Sequence, residues 1–189
     1  MRWKLKKSLY SLNDASRKFW LMVKAVFADF GLKKLDGDEA LYYKHGENGD
    51  LEGMISTHVD DFNLAGSEEF LAAVTEKIGK ALDISKVEDS KFRFTGIDMQ
   101  KVGDQIELSM NDYAASLEDV EIREDKSDEK LTREEMRVLR KYVGKLTWLA
   151  VNTRPDLTIY ALDLAKKQKS AVLKDLRSIN RILQKVRVK

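Results

Sequence analysis

Two adjacent aspartates are the residues of this chain with the clearest capacity for chemistry. Asp60 and Asp61 lie in the segment His58–Phe62, inside an otherwise apolar, strand-like run. Two carboxylates about 4 Å apart repel each other by roughly 1 kcal/mol in water and about 4 kcal/mol at an effective dielectric of 20. A divalent cation would reverse that sign, and hard oxygen ligands suit Mg²⁺ or Mn²⁺. Metal ions held in this way stabilise the attacking and leaving oxygens of phosphoryl or nucleotidyl transfer.

The same dipeptide has a simpler interpretation. Aspartate is a common turn residue, because its short side chain bonds to the nearby backbone. Asp60 and Asp61 could therefore form no more than an exposed turn between two strands. The dipeptide alone leaves both alternatives open.

The composition excludes several other kinds of site. The chain has no cysteine, which removes disulfides, zinc–thiolate sites and cysteine nucleophiles. Its two histidines, His45 and His58, are too few for a histidine-rich metal site. No apolar stretch approaches the roughly 20 residues that are needed to cross a bilayer. We therefore expect an intracellular protein without a membrane partner.

Local patterns predict the elements that would position the two aspartates. Apolar residues at helical spacing predict a helix over Ala15–Phe30 that ends at Gly31. Ala40–Lys44 and Met54–Leu64 are rich in aromatic and β-branched residues, which is typical of hairpin strands. Ser67, followed by two glutamates, predicts the start of the next helix.

The rest of the chain changes from strands to helices. Lys91–Gln100 and Gln105–Met110 predict two more strands. Thr132 begins a capping box, Pro155 predicts the start of another helix, and a last helix is expected from about Ala171. The predicted fold class is therefore α+β, a small antiparallel sheet with packed helices followed by an all-helical region.

Two groups of basic residues are candidates for contact with nucleic acid. Lys166–Lys189 holds nine Lys or Arg and one acid, so it could meet a phosphate backbone or form the solvated face of an amphipathic helix. Near the N-terminus, basic residues alternate with Trp3, Tyr10 and Trp20, a pattern that suits contact with a single strand. The candidates are Lys6, Lys7, Arg17, Lys166, Lys167, Lys174, Arg177 and Arg181.

Five segments, in order, resemble the reverse transcriptase of copia-type LTR retrotransposons. Lys6–Trp20 reads KKSLYSLNDASRKFW, where the family has KKSLYGLKQAPRxW. Asp38–Tyr43 is similar to the family's DPSLFY, and His58–Asp61 stands where the family has YVDD. Phe94–Asp98 is similar to FLGIE. Tyr142–Leu157 contains YVGKLTWL and TRPDL, which resemble YRxLVGxLxYL and TRPDI.

The resemblance implies the C-terminal palm, residues 1–110, and the helical thumb, residues 111–189, of an RNA-directed DNA polymerase. Asp60 and Asp61 would be catalytic and would hold Mg²⁺ or Mn²⁺. The implied partners are an RNA/DNA primer–template, a nucleoside triphosphate, and the fingers and ribonuclease H domains of a polyprotein. His58, Phe94 and Gly96 would join the basic candidates in contacting nucleic acid. The implied location is the cytoplasm, a virus-like particle or the nucleus.

Departures from the family pattern lower the expected activity. The family has a further catalytic aspartate upstream of KKSLY, and none of the seven residues before Ser8 is acidic. Ser11 and Ser16 replace a glycine and a proline, and His58 replaces a tyrosine. We therefore expect weak metal binding at most, and a polypeptide that is inactive by itself.

The alternative is a non-catalytic nucleic-acid-binding or scaffolding module derived from such a polymerase. The fingers are expected to be missing along with the upstream strand. An uncovered face of the palm sheet would then lead either to self-association or to a rearranged N-terminus.

Overall fold

Seven strands and six α-helices form the described part of the chain, residues 15–82, 84 and 86–187, in the computed structural model. The strands make one antiparallel sheet of four strands and one of three. The chain divides into two compact units, the first ending at Asp89 and the second beginning at Ser90. The α+β prediction is confirmed, although the strands belong to two sheets. None of the described helices is long and apolar enough to span a membrane.

The first unit packs two helices on one face of the four-stranded sheet. Its elements are α1 (Ala15–Asp29), β1 (Lys33–Lys34), β2 (Leu41–His45), β3 (Leu51–His58), β4 (Asp61–Gly66) and α2 (Glu68–Leu82). The strands follow one another in the order β1-β2-β3-β4. The buried core consists of Val23, Phe27, Leu32, Tyr42, Ile55, Phe70, Val74 and Ile78.

Local signals set the ends of these helices as predicted. Gly31 has a φ of 84°, and its N–H donates to the carbonyl of Ala28 at 3.0 Å. The N–H of Leu32 donates to the carbonyl of Phe27 at 2.9 Å. These two bonds form a Schellman motif, which satisfies the last carbonyls of α1. The Ser67 hydroxyl caps α2 by accepting a bond from the backbone of its first turn.

The second unit joins the three-stranded sheet to a group of helices. Its elements are β5 (Lys91–Phe94), β6 (Ile97–Val102), β7 (Gln105–Ser109), α3 (Asn111–Ala115), α4 (Arg133–Asn152), a 3₁₀ turn (Pro155–Leu157), α5 (Thr158–Lys167) and α6 (Leu173–Arg187). Its most deeply buried side chains include Leu139, Leu146, Leu149, Leu157, Leu164, Leu173, Leu176 and Ile179. The assignment of residues 1–110 to a palm and 111–189 to a thumb stays a prediction.

The capping box at the start of α4 is confirmed. The Thr132 hydroxyl accepts a bond from the N–H of Glu135 at 3.2 Å, and the Glu135 carboxylate accepts one from the N–H of Thr132 at 2.7 Å. Two backbone donors that would otherwise have no partner are satisfied reciprocally.

Two predicted strands are each divided in the structure. Met54–Leu64 breaks between His58 and Asp61 into β3 and β4, and Lys91–Gln100 breaks between Phe94 and Ile97 into β5 and β6. Both runs were therefore wrongly interpreted as single strands. The turns contain Val59 and Thr95, β-branched residues that favour strands, and the strand interpretation gave these more weight than the turn signals of Asp60 and Gly96.

A close approach between α2 and the sheet depends on two paired glycines. Gly53 lies opposite Gly66 across β3 and β4. A Cβ atom on Gly53 would lie 2.2 Å from the Phe70 ring. A Cβ atom on Gly66 would lie 2.5 Å from the carbonyl oxygen of Glu52, a backbone atom that cannot move aside cheaply. The absence of side chains at this pair lets Phe70 pack directly on the sheet.

We predict that Gly66→Ala lowers the free energy of unfolding by about 1–3 kcal/mol, because the added methyl overpacks this contact. Gly79→Ala is the matched control, since Gly79 lies within α2 and its added Cβ would meet nothing within 4 Å. The control should raise stability by roughly 0.5–1 kcal/mol through helix propensity. Urea unfolding followed by circular dichroism measures both. Equal effects of the two substitutions would contradict the close approach.

Candidate functional site

The β3–β4 hairpin presents the two aspartates at its tip. His58 pairs with Asp61, which leaves Val59 and Asp60 as a two-residue turn. Val59 has a φ of 54° and is 74% exposed. Positive φ is a genuine outlier for a β-branched residue, and such strain costs about 1–3 kcal/mol. Strained backbone of this kind clusters at functional sites, so the turn is a candidate on geometry alone.

Strand register decides where the two aspartates and their neighbour project. Ile55 is fully buried against the helices, and its partner Leu64 packs partly against the same core. Because side chains alternate between the faces of a sheet, His58 and Asp61 project from the opposite face, next to each other. Asp60 lies in the turn itself. All three residues are exposed at the same end of the sheet.

The carboxylates of Asp60 and Asp61 are the type of ligand that Mg²⁺ or Mn²⁺ prefers, but two carboxylates are too few to hold the ion by themselves. Both metals prefer hard oxygen ligands, and Mg²⁺ is commonly held by one or two carboxylates together with substrate phosphates and water. Among the described residues, no group of three or more His, Cys, Asp or Glu is placed to hold a metal ion. The two aspartates could therefore hold an ion only with ligands from a nucleotide or from another carboxylate.

A second hairpin in the other unit carries the predicted residues Phe94 and Gly96. Phe94 pairs with Ile97, which makes Thr95 and Gly96 a two-residue turn with φ of 51° and 84°. Positive φ at both central residues is what a type I′ hairpin turn requires, and glycine meets that requirement without strain. Thr95, like Val59, is a β-branched residue in a conformation that it rarely adopts.

An ion-pair group that was not predicted from the sequence stabilises this second hairpin. The Arg93 guanidinium donates two bonds to Asp98, at 2.6 and 2.8 Å, and one to Asp112 at the start of α3, at 2.8 Å. The hydrogen bond from Arg93 lowers the pKa of Asp98, and the bonds to Asp98 and Asp112 raise the pKa of Arg93. Arg93 lies directly across the strands from Asp98. Recognition of the Thr95–Gly96 turn would have revealed this pairing from the sequence.

The basic candidates outside α6 are spread over several elements. Lys6 and Lys7 lie outside the described residues. Arg17 is exposed in the first turns of α1. Lys166 is exposed near the end of α5, whereas Lys167 donates to Asp163 at 2.6 Å and lies 3.5 Å from the buried Asp175. The Lys167 ammonium group is therefore already paired with carboxylates of its own unit.

The remaining candidates form one stripe on α6. Lys174, Arg177 and Arg181, together with Lys185, are separated by three, four and four residues, so they lie within a band about 80° wide and about 17 Å long. The opposite side of α6 is buried in the core of the second unit. Lys174 and Arg181 are exposed, while Arg177 bonds to the loop before α4 and Lys185 bonds to the Tyr160 hydroxyl. We call these four residues the basic stripe.

The comparison with protein families identifies the class of the chain. The model of the family described as reverse transcriptase (RNA-dependent DNA polymerase) matches residues 1–129. This match covers about two thirds of the 189 residues, and the chain belongs to this family. It includes both hairpins and ends in the loop before α4. No curated protein and no solved structure matches the chain.

We predict that Val59→Asn raises the free energy of unfolding by about 1 kcal/mol, because asparagine tolerates positive φ far better than valine. Val87→Asn is the control, since Val87 is also exposed and has no positive φ. The control should change stability by less than about 0.5 kcal/mol. Thermal and urea unfolding test the pair. If Val59→Asn proves neutral or destabilising, the turn is not strained by its valine.

Proposed function

We propose that the chain is the palm and thumb portion of a copia-type retrotransposon reverse transcriptase, and that Asp60 and Asp61 hold the metal ion of nucleotidyl transfer. The observation that carries this proposal is the strained β3–β4 turn, which holds two adjacent carboxylates at the end of a sheet buried on its other face. Membership of the family implies a nucleic acid template and nucleotide substrates.

In the proposed reaction, the 3′-hydroxyl of a primer attacks the α-phosphorus of a nucleoside triphosphate, and the bond to pyrophosphate breaks. A bound Mg²⁺ or Mn²⁺ would stabilise the charge on the attacking and leaving oxygens. Asp60 and Asp61 would hold it. His58, which lies opposite Asp61, would lie beneath the primer end, where its ring can stack and form a hydrogen bond.

The described residues bring no third carboxylate to this site. Among the described strands, β4 is at the edge of its sheet, with one row of backbone donors and acceptors unpaired by any of them. An added strand that pairs with β4 would lie beside Asp61. We propose that the upstream palm strand of the family pairs here and supplies the third aspartate.

We predict that Mn²⁺ tightens binding of a primer–template duplex several-fold and that Asp60→Asn/Asp61→Asn abolishes this gain. Carboxylates bind the ion, whereas the amides that replace them carry no charge. Fluorescence anisotropy with labelled duplex, with and without Mn²⁺, measures the effect. A positive result justifies adding the upstream segment and assaying DNA synthesis.

The matched control is Glu47→Gln/Asp50→Asn, which removes two charges from the turn at the opposite end of β3. This variant should keep the response to Mn²⁺. If the response is absent from the original protein, or equal in both double variants, Asp60 and Asp61 are not a metal site.

The second candidate function is non-catalytic binding of nucleic acid, and the basic stripe of α6 favours it. Lys174 and Arg181 are exposed, and they lie in line with Arg177 and Lys185 along the helix. A row of cations on a rigid helix can follow a phosphate backbone, and such binding is sensitive to salt because it releases counterions. This contact needs neither the metal nor the third carboxylate.

We predict that Lys174→Gln/Arg181→Gln weakens duplex binding and lowers the slope of log K against log salt concentration by about 2, since two phosphate contacts are lost. Lys80→Gln/Lys86→Gln, which removes two exposed charges from the first unit, should leave the slope nearly unchanged. Titrations at several salt concentrations provide the slopes. Identical slopes for the two variants would exclude the basic stripe as the binding surface.

A further inference from the structure

The loop between α3 and α4 places an exposed serine against the first turn of α6. The N–H of Lys174 donates to the carbonyl of Ser127 at 2.9 Å, and the N–H of Leu173 donates to the carbonyl of Glu129 at 3.0 Å. A further bond, from the N–H of Glu129 to the carbonyl of Lys126 at 3.0 Å, closes a turn around Ser127. Ser127 is therefore held in position by backbone bonds while it remains exposed.

The hydroxyl of this serine already touches the basic stripe. One arm of the Arg177 guanidinium donates to the Ser127 hydroxyl, and the other donates to the carbonyl of Asp125 at 3.0 Å. Lys174 lies three residues before Arg177 on the same side of α6. A phosphate on Ser127 would thus find a fixed guanidinium, a nearby ammonium group and the positive end of a 15-residue helix. These are the features that stabilise a phosphoserine.

The sequence around the serine indicates the kind of enzyme that would modify it. Glu124 and Asp125 precede Ser127, and Asp128 and Glu129 follow it. Such a segment suits a protein kinase with a basic substrate groove. An exposed turn is also accessible to an enzyme that must grip several residues of extended chain.

We propose that Ser127 is a phosphorylation site and that its phosphate pairs with Arg177, which switches off the basic stripe. The Ser127 oxygen attacks the γ-phosphorus of ATP in the kinase, a new P–O bond forms, and the bond to the β-phosphate oxygen breaks. ADP leaves, and the hydroxyl proton passes to the catalytic base of the kinase. The product adds nearly two negative charges beside Lys174 and Arg177.

The effect on nucleic acid follows from charge. The phosphate competes with the nucleic acid backbone for Arg177 and Lys174 and repels that backbone. We expect phosphorylation to weaken duplex binding by about tenfold or more, since phosphate contacts dominate such affinities. This consequence rests on the binding role proposed for α6, whereas the modification and its pairing with Arg177 do not.

The first test is modification of the protein by an acid-directed kinase with ATP, with the phosphate located by mass spectrometry. Phosphate on Ser127, and its loss in Ser127→Ala, is the expected result. Ser116 is the internal comparison, because it also precedes acidic residues, but its hydroxyl donates to the carbonyl of Tyr113, whereas the Ser127 hydroxyl accepts a bond from Arg177. Modification of Ser116 or other residues without Ser127 would overturn the proposal.

The second test uses protein with phosphoserine incorporated genetically at position 127. Its ³¹P resonance should report a second pKa below that of the Arg177→Gln variant, because Arg177 stabilises the dianion against the carboxylates around it. Arg177→Gln should raise this pKa, and Arg181→Gln should leave it nearly unchanged. If Arg177→Gln does not fold, Arg177→Lys replaces it and should raise the pKa by a smaller amount, because the charge remains while the forked guanidinium bonds are lost. The same pKa in every variant would show that the pairing is wrong.

Duplex binding by the same phosphoserine protein separates the two proposals. Weaker binding supports the switch. Unchanged binding alongside the shifted pKa would retain the modification and its pairing, reject the switch, and point to a nucleic acid surface other than α6.

Discussion

Burial of Ile55 against α1 and α2 fixes the direction of every side chain in the β3–β4 hairpin. Side chains alternate along a strand, so a slip of one residue would expose Ile55 and turn His58 and Asp61 toward the helices. Burying a large aliphatic side chain is worth about 1.5–3 kcal/mol, and burying an unpaired carboxylate costs more than that. The packing of the core therefore places His58 and Asp61 on the opposite face. The chemistry at the tip depends on a hydrophobic contact that lies several residues away.

The same packing explains how a strained turn persists. The Val59 backbone costs energy locally, and it is retained because the paired strands on both sides leave only two residues for the reversal. The paired glycines Gly53 and Gly66, at the other end of these strands, leave room for the Phe70 ring of α2 to pack directly on the sheet. The Thr95–Gly96 hairpin, in its own unit, shows a related arrangement, because Arg93 fastens both of its strands to the start of α3. In each unit, a rigid support holds a tight turn.

Burial of the apolar residues also determines where the charged side chains of α6 lie. Its apolar residues fill the core of the second unit, and four of its five cations lie on the other side, whereas Arg187 bonds to the carbonyl of Leu117 and pairs with Asp119. The acidic loop before α4 is fastened to this helix by backbone bonds and by Arg177. A surface that suits a phosphate backbone is thus flanked by a segment of opposite charge. Ser127 of the acidic loop lies next to Arg177 of the basic stripe. One phosphate added to Ser127 would therefore change the balance of charge between the loop and the stripe.

The sequence by itself determined the elements whose signals are local. The end of α1 at Gly31, the cap at Ser67 and the capping box at Thr132 were all predicted, since each depends on residues within one helical turn. The order of the five segments that resemble copia-type reverse transcriptase also pointed to the reverse transcriptase family and singled out Asp60 and Asp61. Tertiary structure decided that the chain reverses at Val59 and Thr95. Local signals conflict there, because the β-branched residues favour strands while Asp60 and Gly96 favour turns, and the packing of the strands on both sides selects the turn. It also decided that Arg177 is already paired, since its partners Ser127 and Asp125 are 50 and 52 residues away in sequence.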